Sequence, residues 1–382
     1  MTGRSLDPVR RARLVLSRIG EPGDPRLTGL VSELGPLAVL DSLRSQPEQV
    51  DLREALADRL AAADPEADLR RAARAGIRFV TPEDDEWPDG LVDLAHAPVL
   101  HERGGSPVGL WVRGRLRLDE AVAGAVAVVG SRSATTYGAD AAAEIGSVLG
   151  DRRRPVVSGA AFGIDQAAHR GALAARGITV AVLACGADRA YPSAHAALLD
   201  YIADVGLVIS EAAPGCSPTR VRFLARNRII AALGAGTVVV EAATRSGALN
   251  TAQWAAGMSR VLMGVPGPVT SAQSEGVHRL IRSRDGLLVT SGRDVLEAVG
   301  SAGEHLVSQD GLPSRPRDRL GFEHRVVLEA VPRRSAATSR SIARAAGLAP
   351  ARVTTILEDL SRGGFVERSR DRWRQVASVL GG

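Results

Sequence analysis

Two rhythms of apolar residues divide this chain. Over residues 1–75 apolar positions recur at helical spacing, in 12–19, 27–34 and 52–61, and Gly and Pro clusters break the recurrence. The pattern predicts a small helical module over 1–75. A turn at residues 20–24 resembles a worn helix-hairpin-helix whose backbone amides would serve a phosphate, but plain helical packing is the stronger expectation because the segment is acidic. From residue 125 the rhythm changes. Short runs without polar alternation, 126–129, 155–157, 178–184, 207–209, 237–240 and 261–265, are rich in valine, and helical segments separate most of them. Strands of this kind are buried on both faces, which predicts a parallel sheet covered by helices.

The expected fold class is α/β: a doubly wound, Rossmann-like parallel sheet over 76–300, flanked by the N-terminal helical module and a C-terminal winged-helix module. Ligands of such sheets collect at the carboxyl ends of the strands, where the strand order reverses. Residues 301–320 carry Ser, Gly, Pro and mixed charge without periodicity and read as a linker. The module over 321–382 shows helical segments at 324–331, 339–346 and 350–361, the last with Val353, Ile356, Leu357 and Leu360 at helical spacing. Gly363 and Gly364 then lead into an alternating stretch, 365–376. Three helices and a basic hairpin make a winged helix-turn-helix.

The 382 residues are 45% hydrophobic and 24% charged, which allows a sizeable core, but only 3% are aromatic, so packing must rest on Ala, Val, Leu and Ile. All 48 basic residues are arginine. Without lysine, a P-loop NTPase, a protein kinase and a Schiff-base or pyridoxal enzyme are excluded. Cys185 and Cys216 are too few for a disulfide framework and too isolated for a zinc site, so no metal is expected and a reducing cytoplasm fits. No signal-peptide pattern is present, and the longest apolar runs fall far short of the roughly 20 residues of a membrane span. The net charge of +5 is uneven: −4 over 1–124, +4 over 125–300, zero over 301–320 and +5 over 321–382. A positive centre beside a basic tail is the footprint of a nucleic-acid binder, although charge alone is equally compatible with a solvated surface.

The strand ends gather small and phosphate-compatible residues. Gly130, Ser131 and Arg132 offer a tight turn, a hydroxyl and a guanidinium directly before a helix N-terminus, where unpaired amides favour an anion. Ser158, Gly159 and Gly163 do likewise after the second strand. Neither stretch is GxGxxG, so a nicotinamide cofactor is poorly supported, and no cofactor is expected. In 223–230, Phe223, Arg226, Asn227 and Arg228 precede an apolar helical face; the arginines could fork onto phosphates and the aromatic stack a base, or the arginines could pair with Glu211 or Glu241. Small and hydroxyl side chains recur at 242–247, including Ser246 and Gly247, with Asn250 and Thr251 on the next helix. Asp165 and His169 share a helix face, and a structural hydrogen bond is a better expectation than a relay, since Ser158 lacks a GxSxG setting. Cys185 reads as buried. No catalytic centre emerges.

These residues lie in stretches that resemble a known family. GSRSATTYG at 130–138, VSGAAFGIDQAAHRGAL at 157–173, CGADRAYP at 185–192 and SEAAPG at 210–215 resemble the DprA/Smf family of bacterial DNA-processing proteins. FLARNRIIAALG at 223–234, VVVEAATRSGALNTA at 238–252, VPGPV at 265–269 and the lead-in GIRFVTPEDDEWPDGL at 76–91 extend the likeness over about 76–300. The resemblance implies a cytoplasmic, non-enzymatic protein of natural transformation that binds single-stranded DNA, protects incoming strands and helps load RecA recombinase. It further implies a homodimer formed through the Rossmann-like domain. Carried over by position, Gly130, Ser131, Arg132, Ser158, Gly159 and Gly163 line the DNA pocket, and Phe223, Arg226, Asn227 and Arg228 follow in the same groove, Phe223 as the stacking residue. Ser246 and Gly247 complete the candidate set.

Two positions depart from the family pattern. Phe162 stands where a basic residue is usual, so one phosphate contact is missing or replaced, and Leu224 replaces the usual proline after the aromatic. Two other readings compete. A nucleotide phosphoribohydrolase-like enzyme would use Glu241, but the PGGxGT run of that family is missing. A duplex-DNA-binding regulator would act through 321–382 alone.

Overall fold

A computed structural model describes residues 7–45, 50–301, 320–333 and 335–376. All but the ends of the expected linker over 301–320 lie outside the described residues. The chain forms two compact units, Met1–Val307 and Ser308–Gly382.

The first unit opens with five helices: α1 (Pro8–Ile19), α2 (Pro25–Leu34), α3 (Pro36–Ser45), α4 (Val50–Ala61) and α5 (Pro65–Arg74). Three of them start alike. Asp7, Asp24 and Asp64 cap α1, α2 and α5 by accepting a first-turn amide, and a proline, which has no amide to leave unpaired, follows each. These helices share one compact unit with the sheet that follows.

That sheet has nine strands: β1 (Ile77–Val80), β2 (Leu110–Arg113), β3 (Val126–Val129), β4 (Val156–Ser158), β5 (Thr179–Leu183), β6 (Leu207–Ser210), β7 (Gly236–Val239), β8 (Val261–Gly264) and β9 (Leu287–Leu288). Their spatial order is β1-β2-β6-β5-β4-β3-β7-β8-β9. From β6 to β9 every pairing is parallel, while β2 runs antiparallel to β6 and β1 to β2. The chain thus builds outward from β3 through β4, β5 and β6, then returns to start the other half at β7. The order reverses between β3 and β7. Among the connecting helices are α6 (Leu118–Ala121), α7 (Thr136–Asp151), α8 (Ile164–Ala174), α9 (Ala196–Val205), α10 (Arg220–Leu233), α11 (Gly247–Gly257), α12 (Glu275–Arg282) and α13 (Gly292–Val299).

Alternation along the strands distributes the valines to two cores. Ala127, Val129, Val157, Val182 and Val239 meet Ile229 to Leu233 of α10 and Trp254 of α11 on one face. On the other, Val126, Val128, Val156 and Val238 meet Ile145 of α7, Ala168 of α8 and Val295 of α13. Nearer the β1 edge, Leu14 of α1, Ala72 of α5 and Ile202 of α9 pack on Phe79, Trp111 and Val208. The observed architecture is an α/β sheet, mostly parallel, with helices over both faces.

Ion pairs fasten the helical segment to the sheet. Arg13 donates to both oxygens of Glu83, at 2.7 to 3.0 Å, and Arg10 pairs with Asp84. The turn at 20–24 faces inward: Gly23 N–H donates to Glu211 at 3.4 Å, and Glu21 pairs with Arg222 and Arg59, each at 3.0 Å. Packing, not phosphate binding, occupies its polar groups. The Glu211 carboxylate also receives Arg228 of α10 through two bonds of 2.6 and 2.7 Å, in a setting where the Arg228 side chain is fully buried.

The second unit contains α14 (Phe322–Ala330), α15 (Ser339–Ala346) and α16 (Pro350–Arg362), with a three-stranded antiparallel sheet of β10 (Ala337–Thr338), β12 (Arg372–Gln375) and β11 (Val366–Ser369) in that order. Val353, Ile356, Leu357 and Leu360 of α16 are buried against Val327, Ile342, Phe365 and Trp373.

His169 shows how closely the β4–β5 region is packed. Its Nδ1 lies 2.7 Å from Thr179 Oγ1, whose hydroxyl donates to Val156 O, so Nδ1 carries the hydrogen. Asp165 shares the helix face but not a bond with His169. Its carboxylate accepts the amides of Gly159 and Ala161 at 3.2 and 3.4 Å, which corrects the expected Asp–His pair.

Two predictions follow from these buried groups. Arg228→Ala or Glu211→Ala strands one charge in the interior and should cost about 3–5 kcal/mol, seen as a fall in urea midpoint, whereas Arg228→Met combined with Glu211→Leu should cost much less. Burial, reinforced by Arg226 and His195, pushes His169 down to about 3. An unfolded histidine takes up its proton near pH 6.5, so stability is full above that value and falls as pH drops toward 3. At pH 5 this residue alone should remove about 2 kcal/mol relative to pH 7, and in His169→Gln that part of the pH slope should vanish from the unfolding curves.

Candidate nucleic-acid interface

The turns after β3 and β7, together with the first half of α10, enclose a cleft of about 730 Å³ at the carboxyl ends of the strands. It lies where the strand order reverses, the place such sheets reserve for ligands.

Helix α10 supplies one wall, and its periodicity decides which residues take part. Thr219 caps the helix by accepting the Arg222 amide. Arg220, Phe223, Arg226, Asn227 and Ile230 then fall on one stripe and line the cleft. Arg226 is 7% exposed, and its Nη1 donates to the carbonyls of Gly159 (2.7 Å) and Val182 (2.6 Å). Those carbonyls hold the guanidinium without neutralising it. Burial pulls Arg226 down to about 10; Asp165 opposes the fall and Arg132 adds to it. Arg226 therefore stays charged at neutral pH. Burial raises Asp165, the acid among the lining residues, despite Arg226 and the amides that it accepts.

Arg132 enters from the turn after β3. Its guanidinium carbon sits 4.7 Å from the centroid of the Phe223 ring, and that of Arg226 sits 5.9 Å from the same centroid. Tyr191, from the loop after β5, packs its ring 5.7 Å from Phe223. Two cations and two aromatics therefore converge. Arg132, Arg220 and Arg245 are exposed, and none has an acid partner among the described residues. Beside α10, Ser246 caps α11 through the Ala248 amide, and Asn227 reaches Gly247 O at 3.3 Å.

Of the residues singled out in the sequence, Gly130, Ser131, Arg132, Phe223, Arg226, Asn227, Ser246 and Gly247 line this cleft. Four do not. Ser158 ends β4 fully buried, with its hydroxyl donating to Val128 O at 2.6 Å. Gly159 lies beneath the cleft, where a Cβ would stand 1.9 Å from Arg226 Nη1. Gly163 holds φ +78 against the Ser131 carbonyl and serves the chain's path into α8. Arg228, two residues beyond Arg226, points about 200° around the helix into its pair with Glu211.

The α7 N-terminus is likewise closed to an anion. Glu241 accepts both the amide and the hydroxyl of Thr135, and Thr135 caps the Gly138 amide. The residues that sequence reasoning missed are Arg220, Tyr191 and Arg245. The helical stripe from Phe223 back to Arg220 was a usable signal, while the approach of Tyr191 to Phe223 depends on tertiary packing. Phe162 lies outside the cleft, 46% exposed, with its ring edge-on to His195 at 4.6 Å. Among the described residues, no group of three or more His, Cys, Asp or Glu could hold a metal ion, and no helix is long and apolar enough to cross a membrane.

Comparison with known proteins identifies the family. Residues 78–300 match the family model described as DNA recombination-mediator protein A. Over 378 residues, 98% of this chain and 97% of the relative, the sequence is 44% identical to the putative DNA processing protein DprA of Mycobacterium tuberculosis. It is 42% identical over 213 residues to DprA of Streptococcus pneumoniae, covering 56% of this chain and 71% of that protein. The solved structure of Streptococcus pneumoniae DprA matches with a TM-score of 0.61 at 32% identity, over 77% of this chain and 98% of that one. Helicobacter pylori DprA shares the fold, with a TM-score of 0.50 at 24% identity over 58% of this chain and 95% of that one. On a family match over more than half its length and a near full-length relative, this chain belongs to the DNA recombination-mediator protein A family, the DprA/Smf proteins that bind and process DNA in recombination.

Proposed function

We propose that the cleft binds single-stranded DNA with little regard to sequence and that the protein acts without catalysis, handing the strand to RecA recombinase during natural transformation. The observation that carries this reading is the approach of both Arg132 and Arg226 to one half-buried ring, Phe223. Guanidinium groups fork onto phosphate oxygens and an aromatic face accepts any base, which together hold a single strand without reading it. Arg220 and Arg245 extend the positive rim. The Helicobacter pylori protein that shares the fold is described as binding single-stranded DNA. The family's description as a recombination mediator supports transfer of the strand to a recombinase.

The non-enzymatic reading is supported by Glu241, the acid that a nucleotide hydrolase would need. Its carboxylate is committed to Thr135 at the start of α7. A homodimer formed through the Rossmann-like sheet is part of the same proposal, supported by edge strand β9, where Leu287 and Leu288 are 56% and 54% exposed. In the second unit, three helices and the β11–β12 hairpin support a winged helix. A cytoplasmic location completes the reading.

Fluorescence anisotropy with labelled oligothymidine provides the test. Arg132→Ala and Arg245→Ala should each weaken binding and flatten the log–log salt slope by about 0.7. Phe223→Ala should cost about 1–3 kcal/mol without changing that slope. Equal affinity for duplex, or binding unaffected by all three substitutions, would overturn the proposal.

A further inference from the structure

Residue totals conceal a basic surface on α5. Glu66 and Asp68, in its first turn, pair with Arg11 and Arg18 of α1. The other end carries Arg70, Arg71 and Arg74. Arg70 reaches Asp64 only at 3.6 Å with both side chains more than half exposed, a pairing that contributes little. Arg71 and Arg74 lie one turn apart, are exposed and have no partner among the described residues. The three arginines line a second cleft of about 500 Å³, and the one acid among its lining residues, Asp188, is committed to the Gly215 amide at 2.8 Å.

This second cleft adjoins the first along two segments of chain. Asp188 lines one cleft and Tyr191, three residues on, lines the other. Gly215 packs against Arg71, where a Cβ would stand 2.4 Å from Nη1, and Pro218, again three residues on, belongs to the first cleft. Three residues span at most about 11 Å, so the two linings are neighbours. Exposed Arg189 lies between them and donates to Gly215 O at 3.3 Å.

We propose that Arg71 and Arg74, with Arg70 beside them, form a second phosphate subsite that takes the single strand where it leaves the Phe223 cleft. The inference rests on the single-stranded DNA reading of that cleft. The chemistry of the patch suits a sugar–phosphate backbone: its guanidinium forks match phosphodiester oxygens, and no aromatic lines it to stack a base. The subsite therefore adds affinity only for strands long enough to reach it.

The test compares oligothymidines of about 6 and about 15 nucleotides, near the two ends of the usual range for such grooves, on the full chain and on Arg71→Ala/Arg74→Ala. The unaltered protein should prefer the longer strand. The double variant should lose that preference and show a salt slope on the longer strand lower by about 1.4, for two contacts at about 0.7 each, with short-strand binding unchanged. Arg71→Lys/Arg74→Lys should restore most of the preference, which separates lost charge from a disturbed helix. Unchanged long-strand binding in the alanine variant would overturn the subsite alone. An equal loss on both lengths would also overturn it, since the effect would then not depend on reach. Absence of single-strand binding by the unaltered protein would overturn the cleft reading and the subsite together.

Discussion

The orientation of α10 depends on one buried charge pair. Arg228 donates to both oxygens of Glu211, to Gly105 O and to Ala225 O, and the same carboxylate takes the Gly23 amide. Taking two ions out of water costs several kcal/mol each, and the compensating bonds form only in one geometry. The pair therefore contributes more to direction than to net stability. It prevents α10 from rolling, and the stripe on the opposite side of the helix faces the strand ends as a result.

With α10 fixed, the cleft concentrates positive charge. Arg226 is anchored by carbonyls, with Asp165 the one acid that acts on it from within the cleft lining, so its charge is held in a fixed orientation. Arg132 stands near it and, like Arg220 and Arg245, has no acid partner among the described residues. Like charges held together in a partly dehydrated site raise the energy of the empty cleft. On the proposed reading, an incoming phosphate would relieve that repulsion, and Arg226, already held by two carbonyls, would need little reorganisation.

Much of this was legible in the sequence. Valine runs without polar alternation marked the inner strands because burial on both faces leaves no polar side to display. Strands β1 and β2 were not legible, since the antiparallel edge departs from the pattern set by the parallel core. Within the cleft, the spacing of Phe223, Arg226 and Asn227 carried the information, and the same spacing excludes Arg228. Ser158 misled because a serine at a strand end looks like a ligand group until its inward direction is known. Closure of the α7 N-terminus joins Thr135 to Glu241, 106 residues away, and no local pattern encodes that. Segment charge hid a local feature as well: Glu66, Asp68, Glu83 and Asp84 pair with arginines of α1, while Arg71 and Arg74 of α5 are exposed.

The exclusive use of guanidinium has a consequence for control. A cleft built on lysine can be silenced by acylation of its amines, one residue at a time. This chain offers no such amine, and even its most perturbed cleft cation, Arg226, holds its proton up to about pH 10. Neither acyl-transfer chemistry nor ordinary swings in cellular acidity can discharge these side chains, so on the proposed reading the surrounding electrolyte and competing polyanions would govern how firmly the surface is occupied.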